Sequence, residues 1–352
     1  MTLSNQEQKQ YDRHLILDEI GIKGQLKLKQ AKVLVVGAGG LGCPILQYLT
    51  AAGVGTIGII DHDTIDQSNL QRQILYTHDD IGKFKAEISV KKLSKLNPFV
   101  TFQTYIEKLT SKNVMNLFSK YDIIVDGSDN FPTRYLVNDA AVLTNKPVVF
   151  GSIFKFEGQV SVFNYQNGPT YRCLYPTAPN PNTVPNCSQI GVLGVLPSII
   201  GSFQANEVIK IICNIGNILS GKLLNFNALT MTQLLLDFKK NAAIAIKNLD
   251  SNYDLSCGLV KQGFQTITIK QLNQNPEKYN LLDVREANER AIHHIGGQHI
   301  PLRELTNRFN EINTNKDLIV YCKSGVRSKI AIQLLKDKGW TDTILQLEAL
   351  KF

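Results

Sequence analysis

What this chain has little of narrows it first. Its six cysteines, Cys43, Cys173, Cys187, Cys213, Cys257 and Cys322, fall at no framework spacing across 352 residues. That excludes a disulfide scaffold and predicts reduced thiols whose reactivity must be judged one by one. There is no apolar signal core, since the opening MTLSNQEQKQYDRH is polar. Nor is there a long uninterrupted apolar run. Residues 193–212 come nearest, but Gln204, Asn206, Glu207 and Lys210 break them, so they read as a buried helix and not a membrane span. The cytoplasm is the expected location. The net charge of +8 is scattered, with Lys–Lys pairs at Lys91 and Lys239 but no basic stripe interleaved with aromatics. Nucleic acid is therefore not an expected partner; at most the charge favours an acidic protein. The length predicts two or three domains, each with ample core.

What is present begins with KVLVVGAGGLG at residues 32–42. Residues 33–36 read as a buried parallel strand, and Gly37, Gly39 and Gly42 form a G-x-G-x-x-G turn. A helix opening at Gly40 and Leu41 would aim its N–H groups at phosphate. A second strand, 56–60, ends at Asp61, about 20 residues past the turn, where a carboxylate can accept from the ribose hydroxyls of NAD or ATP equally. The polar loop Ser68, Asn69, Leu70, Gln71, Arg72, Gln73 and then Lys85 bring cations close to the turn. These suit a triphosphate better than a pyrophosphate already held by backbone amides. A further strand, 121–125, delivers Asp126, Gly127, Ser128, Asp129 and Asn130 before a helix from Phe131. Asp129 belongs in the same crevice, where one carboxylate plus phosphate oxygens can hold Mg²⁺; the same residue could serve as the helix N-cap.

Together with YDRHLIL at residues 11–17, the Asp61-x-Asp63 pair, SNLQRQ, DGSDNFPTR at 126–134 and NCSQIGVLG at 186–194, these motifs resemble the ThiF/MoeB/HesA family of ubiquitin-activating-enzyme-like adenylyltransferases. The resemblance covers residues 1 to 240, with the motifs in order. It implies ATP-dependent adenylation of the C-terminal glycine of a small ubiquitin-like sulfur carrier of the MoaD or ThiS type, with Gly37, Gly39, Gly40, Gly42, Asp61, Asp63, Ser68, Asn69, Arg72, Gln73, Lys85, Asp129 and Asn130 at the nucleotide. It also implies a homodimer in which Arg13 reaches the partner's nucleotide. The chemistry needs phosphate charge neutralised by Arg13, Arg72, Lys85 and Mg²⁺ on Asp129, and no strong base. His14, His62 and His78 show no triad or metal spacing and read as surface or packing residues, and Cys43 and Cys213 as small core residues.

In this family two CxxC pairs often hold a structural zinc. Here Thr170 and Asp254 stand where the first cysteine of each pair would be, leaving Cys173 and Cys257, so no bound zinc is expected. Cys187 lies in a Pro-rich loop, PTAPNPNTVPNCSQIG, before a helix whose N-terminus would favour its thiolate. The matching position in relatives forms a thioester or acyl disulfide with the carrier, and Cys187 is expected to act after adenylation.

Composition turns polar across residues 239–262, and a second domain follows. Residues 266–269 and 281–284 read as strands, 317–321 as a buried strand and 326–338 as an amphipathic helix ending at Gly339. The loop Cys322, Lys323, Ser324, Gly325, Val326, Arg327, Ser328 joins the last two. Converging backbone N–H groups, the helix dipole, Lys323 and Arg327 would favour a thiolate or persulfide on Cys322. With LLDVREANE at 281–289 and HIPL at 299–302, the loop resembles the rhodanese active site. Arg327 follows Cys322 by one position fewer than the phosphatase spacing requires, so sulfur transfer is expected rather than phosphate hydrolysis. The usual final strand, Gly-Gly turn and terminal helix are replaced by ILQLEALKF, which predicts a trimmed end.

The expected fold class is α/β throughout: a Rossmann-like ThiF/MoeB nucleotide-binding domain at 1–245, a linker at 246–262 and a small rhodanese-like domain at 263–352. The expected function is adenylation of the carrier followed by sulfur transfer from a Cys322 persulfide, supplied by a cysteine desulfurase or thiosulfate, to give a thiocarboxylate for molybdopterin or thiamine synthesis. An NAD(P)-binding oxidoreductase would share the glycine turn and Asp61, and a non-catalytic docking scaffold would need no intact Cys322 loop.

Overall fold

The computed structural model describes residues 2–178, 191–250, 253, 265–313 and 315–348. The boundary between two compact units falls after Tyr253. The first unit is built on an eight-stranded sheet. In chain order its strands are β1 (Lys32–Val36), β2 (Thr56–Ile60), β3 (Thr101–Tyr105), β4 (Ile123–Asp126), β5 (Val148–Phe154), β6 (Glu157–Phe163), β7 (Lys222–Asn227) and β8 (Thr232–Asp237). Their spatial order is β3-β2-β1-β4-β5-β6-β7-β8. The first five run parallel and the last three antiparallel. β1, β2 and β4 are nearly continuous apolar runs because helices cover both faces of a parallel sheet. The chain order reverses between β1 and β4, and at such a switch point the carboxyl ends of the strands open a crevice.

Sequence periodicity alone leads from β2 directly to residues 121–125, whereas the structure inserts β3 between them. Its TFQTY lies at the sheet edge, mostly exposed, and carries no buried apolar run to reveal it. The buried helix expected at 193–212 is Leu196–Cys213, its start set by Pro197, whose fixed φ suits the first turn. Two of the polar residues that interrupt it are held by specific bonds, although Gln204 Oε1 is buried without a partner among the described residues. Gln204 donates from Nε2 to the Asp126 carbonyl at 2.8 Å and the Val149 carbonyl at 3.2 Å, and Glu207 pairs with Lys210 and accepts the Leu219 N–H at 3.0 Å. Among the described residues no helix is long and apolar enough to cross a membrane. Cys43 and Cys213 both lie in the core.

The second unit is a five-stranded parallel sheet: β9 (Gln265–Ile267), β10 (Tyr279–Asp283), β11 (Gln298–His299), β12 (Asp317–Tyr321) and β13 (Ile344–Leu347), ordered β11-β10-β12-β13-β9. Leu282, Val320, Ala331, Ile332 and Leu335 form its core beneath the helix Val326–Asp337. One expectation is corrected here. The stretch expected to replace the final strand supplies it: ILQL is β13, seated between β12 and β9 with three of its four residues buried. An apolar run flanked by two parallel neighbours has nowhere else to put its side chains.

Candidate active sites

In the first unit, the carboxyl ends of β1, β2 and β4 surround a cavity of about 220 Å³. Gly37, Gly39 and Gly40 line it, together with Asp61, Asp63, Arg72, Gln73, Lys85, Asp129 and Asn130. Gly37 sits at φ +93°, where other residues are strained. At Gly42 the constraint is space. A Cβ there would lie 2.1 Å from the Gly37 carbonyl oxygen, so the lack of a side chain lets the helix Gly42–Ala52 pack against the turn. That helix starts slightly later than the glycine pattern implies.

Asp61 is buried and braces the turn. Its Oδ2 accepts the Ala38 N–H and its Oδ1 the Asp63 N–H, both at 2.8 Å. Burial pushes this carboxyl up, opposed by the charge of Lys85 and by the two N–H groups. Each oxygen retains a second lone pair for a ribose hydroxyl. Lys85, only 6 % exposed, donates to Asp63 Oδ2 at 2.9 Å. Its buried ammonium thus sits on the cavity wall beside two carboxylates. Arg72 donates to the Ser68 carbonyl at 2.9 Å. Ser68 and Asn69 themselves lie outside the lining; with Asp66 they build the capped turn that carries Arg72 and Gln73 inward.

Asp129 is exposed at the cavity, and among the described residues its carboxylate takes one long bond, from Asn130 Nδ2 at 3.4 Å. The N-cap role considered for Asp129 belongs to Asn130, whose Oδ1 accepts the Thr133 N–H at 3.0 Å. This leaves Asp129 with the donor character a phosphate-bound Mg²⁺ uses. Arg13 is outside the lining: its side chain is 89 % exposed and 3.9 Å from Asp12.

The structure adds residues that sequence reasoning missed. Glu107 and Lys108 line the cavity because they follow β3, and the carboxyl-end rule would have found them had that strand been recognised. Arg134 lines it too, its guanidinium 5.6 Å from the Phe131 ring and 5.5 Å from the Phe150 ring. Tyr76, buried behind the turn, donates to the Ala38 carbonyl at 2.7 Å and meets Ser89 Oγ at 3.0 Å. Nothing about a lone tyrosine in the sequence signals that.

In the second unit, Cys322 follows β12 and is 1 % exposed. Its Sγ accepts the Ser328 N–H at 3.4 Å and lies 3.6 Å from Ser328 Oγ. Gly325, at φ +81°, caps the helix Val326–Asp337. Its carbonyl oxygen accepts from Ser328 Oγ and from Gln346 Nε2, both at 3.0 Å. With that oxygen held by two donors, the trans peptide directs the Val326 N–H to the opposite side. Gln346 is on β13, so the strand expected to be missing helps fix the loop. Lys323 and Ser324 are exposed, and Arg327 forms a two-pronged pair with Glu289 at 2.5 and 2.7 Å. A larger cavity, about 480 Å³, opens at the other end of this sheet, lined by apolar and amide side chains such as Leu272, Asn280 and Leu281. Among the described residues, neither a cysteine nor a charged group lines it.

Comparison with known proteins agrees with this architecture. The ThiF family matches residues 11–245, and the rhodanese-like domain matches residues 268–348. The chain belongs to the ThiF family. A Mycobacterium tuberculosis relative, the probable adenylyltransferase/sulfurtransferase MoeZ, is 41 % identical over 97 % of this chain and 91 % of its own length. The sulfur carrier protein adenylyltransferase of Thermus thermophilus is 46 % identical over 74 % of this chain and all of its own. The crystal structure of E. coli MccB with MccA-N7isoASN shares the fold at a TM-score of 0.62 and 22 % identity, covering 69 % of this chain and 75 % of that one.

Several residues of this ThiF-family chain have other roles. Thr170 offers a hydroxyl, a poor zinc ligand, where a cysteine would be needed, and Cys173 Sγ takes the Thr170 N–H at 3.3 Å, lies 3.4 Å from Thr170 Oγ1 and takes the Asn241 N–H at 3.4 Å. Burial opposes its thiolate, yet these bonds and nearby Lys240 hold the thiol below its ordinary value. Cys257, Asp254 and Cys187 lie outside the described residues. Burial pushes the Cys43 thiol up to about 12. His14 packs onto Gln25, its Nδ1 3.1 Å from Oε1. His62 is exposed on the cavity rim, where its ring and the carboxylates of Asp61 and Asp63 lie within 4.8 Å of one another. Backbone N–H groups and Lys85 already engage those carboxylates.

Proposed function

We propose that this enzyme adenylates the C-terminal glycine of a ubiquitin-like sulfur-carrier protein of the MoaD or ThiS type and then transfers sulfur to it. The observation that carries the reading is the gathering of Gly37, Gly39, Asp61, Arg72, Lys85 and Asp129 around one cavity in a chain that also holds the Cys322 loop. A carboxylate oxygen of the carrier attacks the α-phosphorus of ATP. The new acyl–phosphate bond forms as the α–β bridging bond breaks, and pyrophosphate leaves. Lys85 and Arg72 neutralise the charge that accumulates on the phosphate oxygens. Asp129 would hold Mg²⁺, which supplies further neutralisation when bound. Asp61 keeps the glycine turn in shape and receives a ribose hydroxyl, with Gln73 and Asn130 at the nucleotide's flanks. In the proposed cytoplasmic homodimer Arg13 reaches the partner's nucleotide, which its exposure permits.

In the second stage the outer sulfur of a Cys322 persulfide attacks the acyl carbon and AMP leaves. Cys187 then attacks the Cys322 sulfur of the acyl disulfide. The carrier departs as a thiocarboxylate, and a thiol reductant restores the two cysteines. A cysteine desulfurase or thiosulfate loads Cys322, and the carrier serves molybdopterin or thiamine thiazole synthesis. An NAD(P)-dependent oxidoreductase would leave Arg72, Lys85 and the Cys322 loop without a role. The test is Cys322→Ser: carrier-dependent ATP–pyrophosphate exchange should persist while thiocarboxylate formation stops. After sulfur loading, mass spectrometry should place the added mass of about 32 Da on Cys322. Finding it on Cys187 alone would overturn the assignment.

A further inference from the structure

Arg327 is the cation of the Cys322 loop suited by shape to receive a small oxyanion. A guanidinium presents two parallel N–H donors that match two oxygens of a sulfonate or carboxylate, whereas an ammonium is a point charge. Here that fork is filled. Nη1 donates to Glu289 Oε2 at 2.5 Å and Nη2 to Glu289 Oε1 at 2.7 Å. Glu289 is itself fixed, since its Oε2 also accepts the Glu286 N–H at 3.0 Å as the capping box of the helix Ala287–Ile292. Arg327 holds the Glu289 carboxyl below its usual range, so the partner stays charged near neutrality. A second carboxylate, Glu286, also acts on Arg327 and is paired with Arg303 at 3.3 Å. The acidic side chains around Arg327 therefore offset the positive charge that Arg327 itself brings beside Cys322, while Lys323 stays exposed.

We infer that Glu289 is a specificity-determining residue that sets the class of sulfur donor, disfavouring a small dianion such as thiosulfate and favouring a persulfide of lower charge, such as one on a donor protein. The inference rests on the reading of Cys322 as the sulfur-accepting thiol. In either case the Cys322 thiolate attacks the donor's outer sulfur: the new S–S bond forms, the donor's S–S bond breaks, and the electron pair leaves on sulfite or on the donor's thiolate. What differs is the charge brought to the mouth of the loop. Thiosulfate must displace Glu289 from Arg327 or approach with the carboxylate in place, and like charges at close range in a partly buried setting repel strongly. A persulfide of lower charge meets a smaller barrier.

The test compares the whole chain as wild type, Glu289→Gln and Glu289→Asp with two donors of different net charge, the thiosulfate dianion and cysteamine persulfide, whose ammonium offsets its persulfide charge, reading cyanide-acceptor kinetics. Glu289→Gln should raise kcat/KM for thiosulfate by at least about fivefold, mostly through KM, as expected when one like charge is removed. It should leave cysteamine persulfide unchanged or slower. Glu289→Asp retains the charge and should keep the wild-type preference, which separates charge from packing and gives a second reading should the Gln variant fold poorly. A thiosulfate kcat/KM that does not rise in Glu289→Gln, or a rise of equal size in Glu289→Asp, overturns the inference. If the wild type takes sulfur from neither donor, the reading of Cys322 falls instead.

Discussion

Replacing Lys85 by Met removes one charge and keeps most of the side-chain volume. Lys85 is 6 % exposed, and its ammonium donates to Asp63 Oδ2 at 2.9 Å. At an effective dielectric of about 20, unit charges about 4 Å apart interact by about 4 kcal/mol. Part of that attraction is already engaged by Asp63 before ATP arrives, so the net loss in the transition state is smaller. Removing one preorganised donor from such a site costs about 3 kcal/mol, or about 100-fold in rate. Lys85→Met should therefore slow carrier-dependent ATP–pyrophosphate exchange by at least about 100-fold, with the melting temperature checked to exclude unfolding. A secondary consequence has a defined sign. Burial already raises the Asp61 carboxyl, and Lys85 is the charge that opposes it. Without Lys85 that carboxyl rises further, so the residual exchange of the variant should fail on the acid side at a higher pH than in the wild type. Exchange within about threefold of wild type, at saturating carrier and with the fold intact, would refute the role given to Lys85.

Other outcomes can be checked separately. Burial works against the Asp80 carboxylate, but Lys92 and Thr77 outweigh it and lower it to about 2. A depressed carboxylate stabilises the fold above its unfolded value of about 3.9 and loses that contribution as pH falls through about 2; Asp80→Asn should cost about 1–2 kcal/mol by denaturant titration at pH 7 and roughly half as much at pH 3. Tyr76→Phe leaves the Ala38 carbonyl with only the weak Cys43 thiol donor at 3.6 Å and should lower stability by about 1–2 kcal/mol; an unchanged midpoint would show that the hydroxyl is dispensable. Elemental analysis of purified protein should find well under about one zinc per chain after mild chelation, since Thr170 and Asp254 stand where two of the four cysteine ligands would be.

Much of this protein was legible from residues alone, for reasons that can be named. Buried parallel strands such as β1, β2 and β12 are continuous apolar runs, and the glycine turn, Lys85 and the Cys322 loop carry chemistry in short, ordered motifs. Within each unit, their placement follows from one rule, that ligands sit beyond the carboxyl ends of such strands. Edge strand β3 stayed hidden because an exposed strand need not be apolar, and Glu107 and Lys108 stayed hidden with it.

Local sequence thus determined the element types, the glycine turn and the residues able to meet phosphate or carry sulfur, because backbone sterics, side-chain period and functional groups are properties of short segments. Only tertiary structure decided that ILQL is an interior strand whose Gln346 holds the Gly325 carbonyl, that Tyr76 braces the turn from behind, and that Glu289 fills the fork of Arg327. Each of these pairs a residue with a partner whose position depends on how the strands and helices pack. A hydrogen bond or ion pair between segments far apart in the chain leaves no pattern in either segment alone.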